Sequence, residues 1–292
     1  MFKGVCTALI TPFNSDGSIN YDQVADLLEM QIANNVDALL ICGTTGEPAT
    51  MTEEEKIQLI DFSIKKINKR VKVLVGAGSN STAKAVENAK LYEKMGADAL
   101  LIVTPYYNKC SQDGLYLHYK QINDAVNIPI ILYNVPGRTG VNILPATAKK
   151  LSTLKNIIGI KEASGNISQI NELSNLIRET DFILYSGDDS LTLPMLAIGA
   201  QGLISVASNI IPRQMHDLVM AYLNNDLQTA QNLHFKYLKV MNDLFIDVNP
   251  IPVKKAAKLI YGYNDYLRLP LSDLSSEKTK ILENTLREVN LI

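Results

Sequence analysis

"MGADALLIVTP", residues 95–105, is a small-residue turn feeding an unbroken apolar run. The same phrase returns as "NNVDALLICGTTG" at 34–46 and as "IGAQGLISVAS" at 198–208. Each run is continuous rather than alternating. That pattern marks a strand buried on both faces, as in a parallel sheet covered by helices. Five more runs share it: VCTALIT (5–11), VKVLVGA (71–77), IPIILYN (128–134), NIIGIKE (156–162) and FILYSGD (182–188). Between the runs, segments 21–34, 53–68, 82–95 and 169–178 carry apolar residues at helical spacing. Thr52 with the three glutamates after it, and Ser81-Thr82, are helix-start signals. Eight strand-helix units fit a (β/α)8 barrel, which takes about 250 residues or fewer. An open doubly wound sheet is the alternative. No GxGxxG follows the first strand, so closure is favoured.

Strand signals fade after about residue 210, and 212–223, 226–246, 250–261 and 276–290 read as helices. Asn249-Pro250 and Pro252 break the chain between two of them. The expected architecture is thus α/β: a (β/α)8 TIM barrel over 1–224, with a C-terminal helical extension over 225–292.

Composition narrows the function. The chain has 292 residues, 47% of them hydrophobic, which is ample for a large core. A formal charge of -2 without a basic cluster gives no reason to expect nucleic acid or an anionic membrane as partner. No run approaches the ~20 apolar residues of a membrane helix, and Pro12 interrupts the N-terminal run too early for a signal peptide. Cys6, Cys42 and Cys110 are odd in number, far apart and outside any CxxC. They read as reduced thiols of a cytoplasmic protein. The histidines, His118, His216 and His234, show no metal-ligand spacing, and neither metal nor cofactor is expected.

In a barrel, catalytic groups lie where strands end. The strand ends here carry Gly43-Thr44-Thr45-Gly46-Glu47, Thr104-Pro105-Tyr106-Tyr107, Tyr133 to Arg138, Lys161, Ser186-Gly187-Asp188-Asp189, and Ile204-Ser205. There is no histidine base and no carboxylate pair across a cleft, which argues against triad hydrolases and glycosidases. The run Ile157-Ile158-Gly159-Ile160 ends on Lys161. An ordinary strand-end lysine reaches solvent or pairs with its neighbour, here Glu162. A lysine held out of water gives up its proton more readily and can attack a carbonyl. The resulting iminium is an electron sink, and the phenol of Tyr133, one strand away, can carry the proton. Each partner also has an ordinary reading: GTTGE as a tight turn, Tyr106-Tyr107 as packing or a subunit contact, Tyr133 as a wall residue. Arg138 reads as a solvated side chain, and Asp188 and Asp189 as caps of the next helix. Their conjunction on one rim carries the weight.

"GTTGE" (43–47), "YNVPGRTG" (133–140), "GIKEASG" (159–165), "SGDD" (186–189) and "GLISV" (202–206) stand in order at barrel spacing. Together with "GVCTALITPF" (4–13) they resemble the pyruvate-dependent class I aldolases of the N-acetylneuraminate lyase superfamily. The likeness spans nearly the whole chain and is closest to the branch that condenses pyruvate with L-aspartate 4-semialdehyde. It implies a lysine-biosynthetic (diaminopimelate) lyase that makes 4-hydroxy-tetrahydrodipicolinate. Lys161 would form the Schiff base, with Tyr133 as acid-base. Thr44 would link Tyr133 to Tyr107 of a neighbouring subunit. Thr45 would hold the pyruvate carboxylate, Arg138 would bind that of the semialdehyde, and Gly187 and Ile204 would lend backbone groups. A homo-oligomer is implied, a dimer or a dimer-of-dimers tetramer. Sialic-acid lyases resemble "YNIPxxSG" after strand five and lack an arginine in this place. Other 2-keto-acid aldolases of the group, and a non-catalytic binding barrel, are the alternatives.

The resemblance also implies an allosteric lysine site near Pro48, Ala49, Glu53, Lys56, Asn80, Lys84 and Tyr106. Asn80 and Tyr106 match lysine-sensitive members. Lys56 and Lys84 replace a histidine and a glutamate, so the site is expected not to serve lysine. Glu53 starts the helix that carries Lys56 and could turn toward the interface to compensate in part.

Overall fold

The computed structural model describes residues 2–292. Its strands are β1 (Gly4–Ala8), β2 (Ala38–Ile41), β3 (Lys72–Gly76), β4 (Ala99–Val103), β5 (Ile130–Asn134), β6 (Ile157–Glu162), β7 (Ile183–Ser186) and β8 (Gly202–Ser205). They run parallel and close into a barrel in chain order, so the favoured (β/α)8 architecture is the one observed. Each strand is shorter than the apolar run that announced it. Leu9, Ile10 and Thr11 show why: they are buried yet lie beyond the end of β1. Burial extends past the ladder because the strand ends continue into covered turns.

The helices Tyr21–Ala33, Glu53–Ile67, Thr82–Met95 and Ile167–Ile177 stand where helical spacing placed them. Thr52 and Glu55 form a reciprocal capping box, with bonds of 3.1 and 2.9 Å. Ser81 takes the N-cap position, but its side chain makes no cap bond. Helix Gln112–Asn123 escaped the pattern because its buried face mixes Leu115, Tyr119 and Ile122 with His118 and Asn123. The four C-terminal helices are Pro212–Leu223, Leu227–Asp243, Ile251–Tyr261 and Ser276–Glu288. Pro252 sits in the first turn of the third, where its missing N–H has no intrahelical partner to lose. Among the described residues no helix is long and apolar enough to cross a membrane.

The chain divides into two compact units. One comprises Lys72–Ile204 with Phe2 and Lys3. Its interior holds Leu74, Leu100, Ile102, Leu132 and Ile160, and Tyr185, which stacks on Phe2 at 4.6 Å and donates its hydroxyl to the Phe2 carbonyl. The other comprises Gly4–Val71 and Ser205–Ile292. Its interior includes Phe13, whose ring lies under both Lys254 Nζ, at 4.5 Å, and the Arg268 guanidinium, at 4.3 Å.

Candidate active site

In the first unit, Tyr133 of β5 is in register with Lys161 of β6. Paired residues on neighbouring parallel strands share a face, so phenol and amine project together. Lys161 Nζ stands 4.5 Å from the centroid of the Tyr133 ring. Both residues are buried, at 4% and 7% exposure. Lys161 therefore does not reach solvent, and Glu162 does not pair with it. Glu162 Oε2 accepts from Asn134 Nδ2 at 2.9 Å, and Oε1 from Ser164 N–H at 2.7 Å. Burial pushes the Glu162 carboxyl up, and the hydrogen bonds from Asn134 and Ser164 work against that rise.

Gly187, just past β7, makes room for the lysine. A Cβ there would lie 2.9 Å from Lys161 Cε and 2.8 Å from Ala163 Cβ, closer than carbon atoms pack. Its N–H donates to the Glu162 carbonyl at 2.8 Å, which leaves only the Gly187 carbonyl to offer a substrate. Ile204, in β8, is fully buried. The aspartates that follow Gly187 are not caps of the next helix. Asp188 Oδ1 closes a turn on Ser190 N–H at 2.9 Å, Asp189 is buried, and the helix begins only at Thr192.

Arg138 lies on the single helical turn Pro136–Thr139 and is exposed. Tyr107 is the centre of a γ-turn. Asn108 N–H donates to the Tyr106 carbonyl at 2.9 Å, and Tyr107 has φ +71°. This is the rare, strained form of the turn. It drives the Tyr107 ring outward to 91% exposure, with Tyr106 at 40% beside it. Asn108 also donates its side-chain amide to the Asn80 carbonyl at 2.9 Å. Lys84 pairs with Glu87 at 3.1 Å.

In the second unit, GTTGE forms a short 3-10 turn, Thr44–Gly46. Thr44 is exposed and Thr45 buried. Thr45 Oγ1 accepts from Asn249 Nδ2 at 3.0 Å, which leaves the hydroxyl hydrogen to donate elsewhere. Glu47 turns into the interior in the left-handed conformation, φ +58°, and meets Lys254 at 2.7 Å. Lys56 is paired with Glu53 at 2.5 Å.

Sequence reasoning missed Asn134, Glu162, Asn249 and Lys254 as parts of this architecture. Asn134 and Glu162 stand directly after the two singled-out residues, and a polar residue closing each apolar strand was the available signal. Lys254 gave a fainter one: it occupies a core position of its helix between Val253 and Ala256.

A closed parallel barrel with a buried lysine and a tyrosine in register at the ends of β5 and β6 defines a class: a lysine-dependent barrel enzyme. A family model described as the dihydrodipicolinate synthetase family matches residues 1–289. The 4-hydroxy-tetrahydrodipicolinate synthase of Clostridium perfringens (strain SM101 / Type A) is 49% identical over 292 residues, 100% of both chains. The crystal structure of dihydrodipicolinate synthase from Thermotoga maritima has a TM-score of 0.98 at 43% identity, covering 100% of each chain. That of the enzyme from Cyanidioschyzon merolae with lysine bound has a TM-score of 0.96 at 38% identity, covering 100% of this chain and 99% of that one. The chain belongs to the dihydrodipicolinate synthetase family.

Proposed function

We propose that the protein condenses pyruvate with L-aspartate 4-semialdehyde to 4-hydroxy-tetrahydrodipicolinate, the first committed step of lysine and diaminopimelate biosynthesis. The observation that carries this reading is the buried amine of Lys161, 4.5 Å from the Tyr133 ring, in a chain 49% identical to a named synthase over its full length. The amine attacks C2 of pyruvate, and the carbonyl oxygen leaves as water. The iminium draws electrons from C3, which gives up a proton to Tyr133, and the enamine so formed adds to the aldehyde carbon, whose oxygen takes a proton and becomes the 4-hydroxyl. The amine of the semialdehyde then attacks C2 and displaces the Lys161 nitrogen, which closes the ring and frees the lysine. Tyr133 carries protons to and from these atoms. Thr45 holds the pyruvate carboxylate, and Gly187 and Ile204 offer backbone carbonyls. Thr44 and a Tyr107 from a second copy complete the relay. A coupled assay with pyruvate and the semialdehyde, run against N-acetylneuraminate and 2-keto-3-deoxygluconate, tests the assignment. Faster turnover of either sugar acid would overturn it.

Arg138 is the carboxylate fork for the semialdehyde in this reading. Arg138→Ala should raise KM for the semialdehyde about 10- to 100-fold, the worth of a charged hydrogen bond. Pyruvate trapping by borohydride should persist. Equal loss of trapping would remove Arg138 from that role.

A strained, exposed tyrosine beside a second exposed aromatic supports a homo-oligomer, a dimer or a dimer-of-dimers tetramer, with Tyr107 covered by a neighbour. Tyr107→Phe should lower kcat, and sedimentation should find no active monomer. A fully active monomer would contradict both. A reduced, cytoplasmic setting belongs to the same reading.

Lysine is not an effector of this chain in our reading. Lys56 and Lys84 each hold a carboxylate of their own helix, Glu53 and Glu87, and Glu53 is thereby engaged rather than offered to a ligand. A like charge in place of a glutamate costs an amine ligand on the order of 1–4 kcal/mol, roughly 5- to 1000-fold in affinity. Initial rates at subsaturating pyruvate should be flat through millimolar lysine. Inhibition in that range would show that the two lysines do not block the site.

A further inference from the structure

One residue beyond Tyr133 and Lys161, β5 and β6 carry a second in-register pair, Asn134 and Glu162. Strand alternation turns this pair to the opposite face from the phenol and the amine. Both are buried, at 0% and 1% exposure, and joined by the 2.9 Å bond from Asn134 Nδ2 to Glu162 Oε2. Backbone donors fix the two outer ends. Ile143 N–H donates to Asn134 Oδ1 at 2.9 Å, and Ser164 N–H to Glu162 Oε1 at 2.7 Å. Between two backbone N–H groups the pair needs one group that accepts and donates and one that only accepts. One amide with one carboxylate meets that condition, in either order, whereas two amides or two carboxylates do not. The second amide hydrogen of Asn134 goes to Asn142 Oδ1 at 2.8 Å, and Asn142 exchanges bonds of 2.7 and 3.1 Å with Gln169.

We infer that Asn134 and Glu162 are positioning residues for the Schiff-base lysine: their bond ties the ends of β5 and β6 from behind and so fixes the amine against the phenol. The inference rests on the proposed roles of Lys161 and Tyr133. Glu162 reaches further still, since its carbonyl receives the N–H of Gly187, the residue against which the lysine chain packs. One buried residue thus ties three strand ends around the amine, without itself touching substrate.

The logic of the bond pattern supplies the test. In Glu162→Gln two amides meet, and whichever way the new amide turns, an N–H faces an N–H. The rate of borohydride trapping of pyruvate and kcat should both fall, about 10- to 100-fold. KM for the semialdehyde should stay within about twofold, because the loss lies in the chemical step. Asn134→Asp brings two carboxylates together and should also be impaired at neutral pH. It should recover as pH falls, because two facing carboxyls take up a shared proton that restores the missing donor. The double variant Asn134→Asp/Glu162→Gln reverses the bond and keeps both backbone donors satisfied. The Asn142 and Gln169 amides follow by turning over, and most of the lost rate should return. A melting curve for each variant establishes that the chain is folded. Native trapping in Glu162→Gln, or a double variant no faster than the single ones, overturns the inference. If the unaltered chain is not trapped at Lys161, the inference falls together with the proposed function. If it is trapped and the variants behave as the unaltered chain does, the inference alone falls.

Discussion

Lys161→Ala and Lys161→Arg are expected to abolish condensation while the fold survives. The drop should be roughly 10⁴-fold or more, the size of the loss when a covalent catalytic group is removed. The arginine variant is the sharper of the two. Guanidinium keeps a positive charge and much of the length, so a lysine needed only as a cation would be partly replaced. It stays protonated at any working pH and offers no free amine, so a lysine needed as a nucleophile would not. The site favours the second outcome, because among the described residues the amine has no carboxylate partner and lies instead over the Tyr133 ring. A mass spectrum after incubation with pyruvate and borohydride should place a pyruvate-derived addition on Lys161 in the unaltered chain and nowhere in either variant. Near-native rates in either variant would end the Schiff-base assignment.

The parts of this protein that were legible in its sequence share a cause. A strand buried on both faces writes a continuous apolar run, and a covering helix writes a stripe, so eight strands and eight helices could be placed from pattern alone. Lys161 stood out because a charge at the end of such a run is costly without a use. The missed elements have no such signature. Asn134 and Glu162 act through one bond between strands, and nothing in either segment alone states which residue lies opposite. The helix Gln112–Asn123 hid because His118 and Asn123 stand buried among its apolar residues. Thr82 Oγ1 lies 2.9 Å from His118 Nδ1, and burial pushes that imidazole down to about 4, which keeps it neutral in the packed helix layer. The Asp188 turn was misread because an aspartate before a helix usually caps it, whereas here three further residues intervene before Thr192, and Leu191 takes the cap position.

Lys254 gives the largest expected effect on stability. Its side chain is fully buried, and its three bonds go to Glu47 at 2.7 Å, the Thr11 carbonyl at 3.0 Å and the Tyr266 carbonyl at 2.6 Å. Burial pushes the amine down and the Glu47 carboxyl up, and each group's attraction for the other opposes the push. Such a pair adds little over an apolar core while intact, but removing one member leaves an uncompensated charge inside. Lys254→Met should therefore cost about 3–5 kcal/mol, which lowers the melting temperature by roughly 5–15 °C in a chain of this size. The penalty is steep because Glu47 loses its Lys254 donor, the larger of its two compensations, and keeps only the weaker pull of Arg268. Glu47→Leu/Lys254→Met removes both charges and should be more stable than Lys254→Met alone. Its recovery should be partial, since the Thr11 and Tyr266 carbonyls still lose their donor. Function should follow stability by a separate route. Glu47 closes the turn that carries Thr44 and Thr45, and Asn249, bonded to Thr45, lies two residues before the start of the helix that carries Lys254. Loosening the pair should thus raise KM for pyruvate more than KM for the semialdehyde. A Lys254→Met chain with unchanged melting temperature and unchanged KM for pyruvate would show that the GTTGE turn is held by its own hydrogen bonds and not by the C-terminal helices.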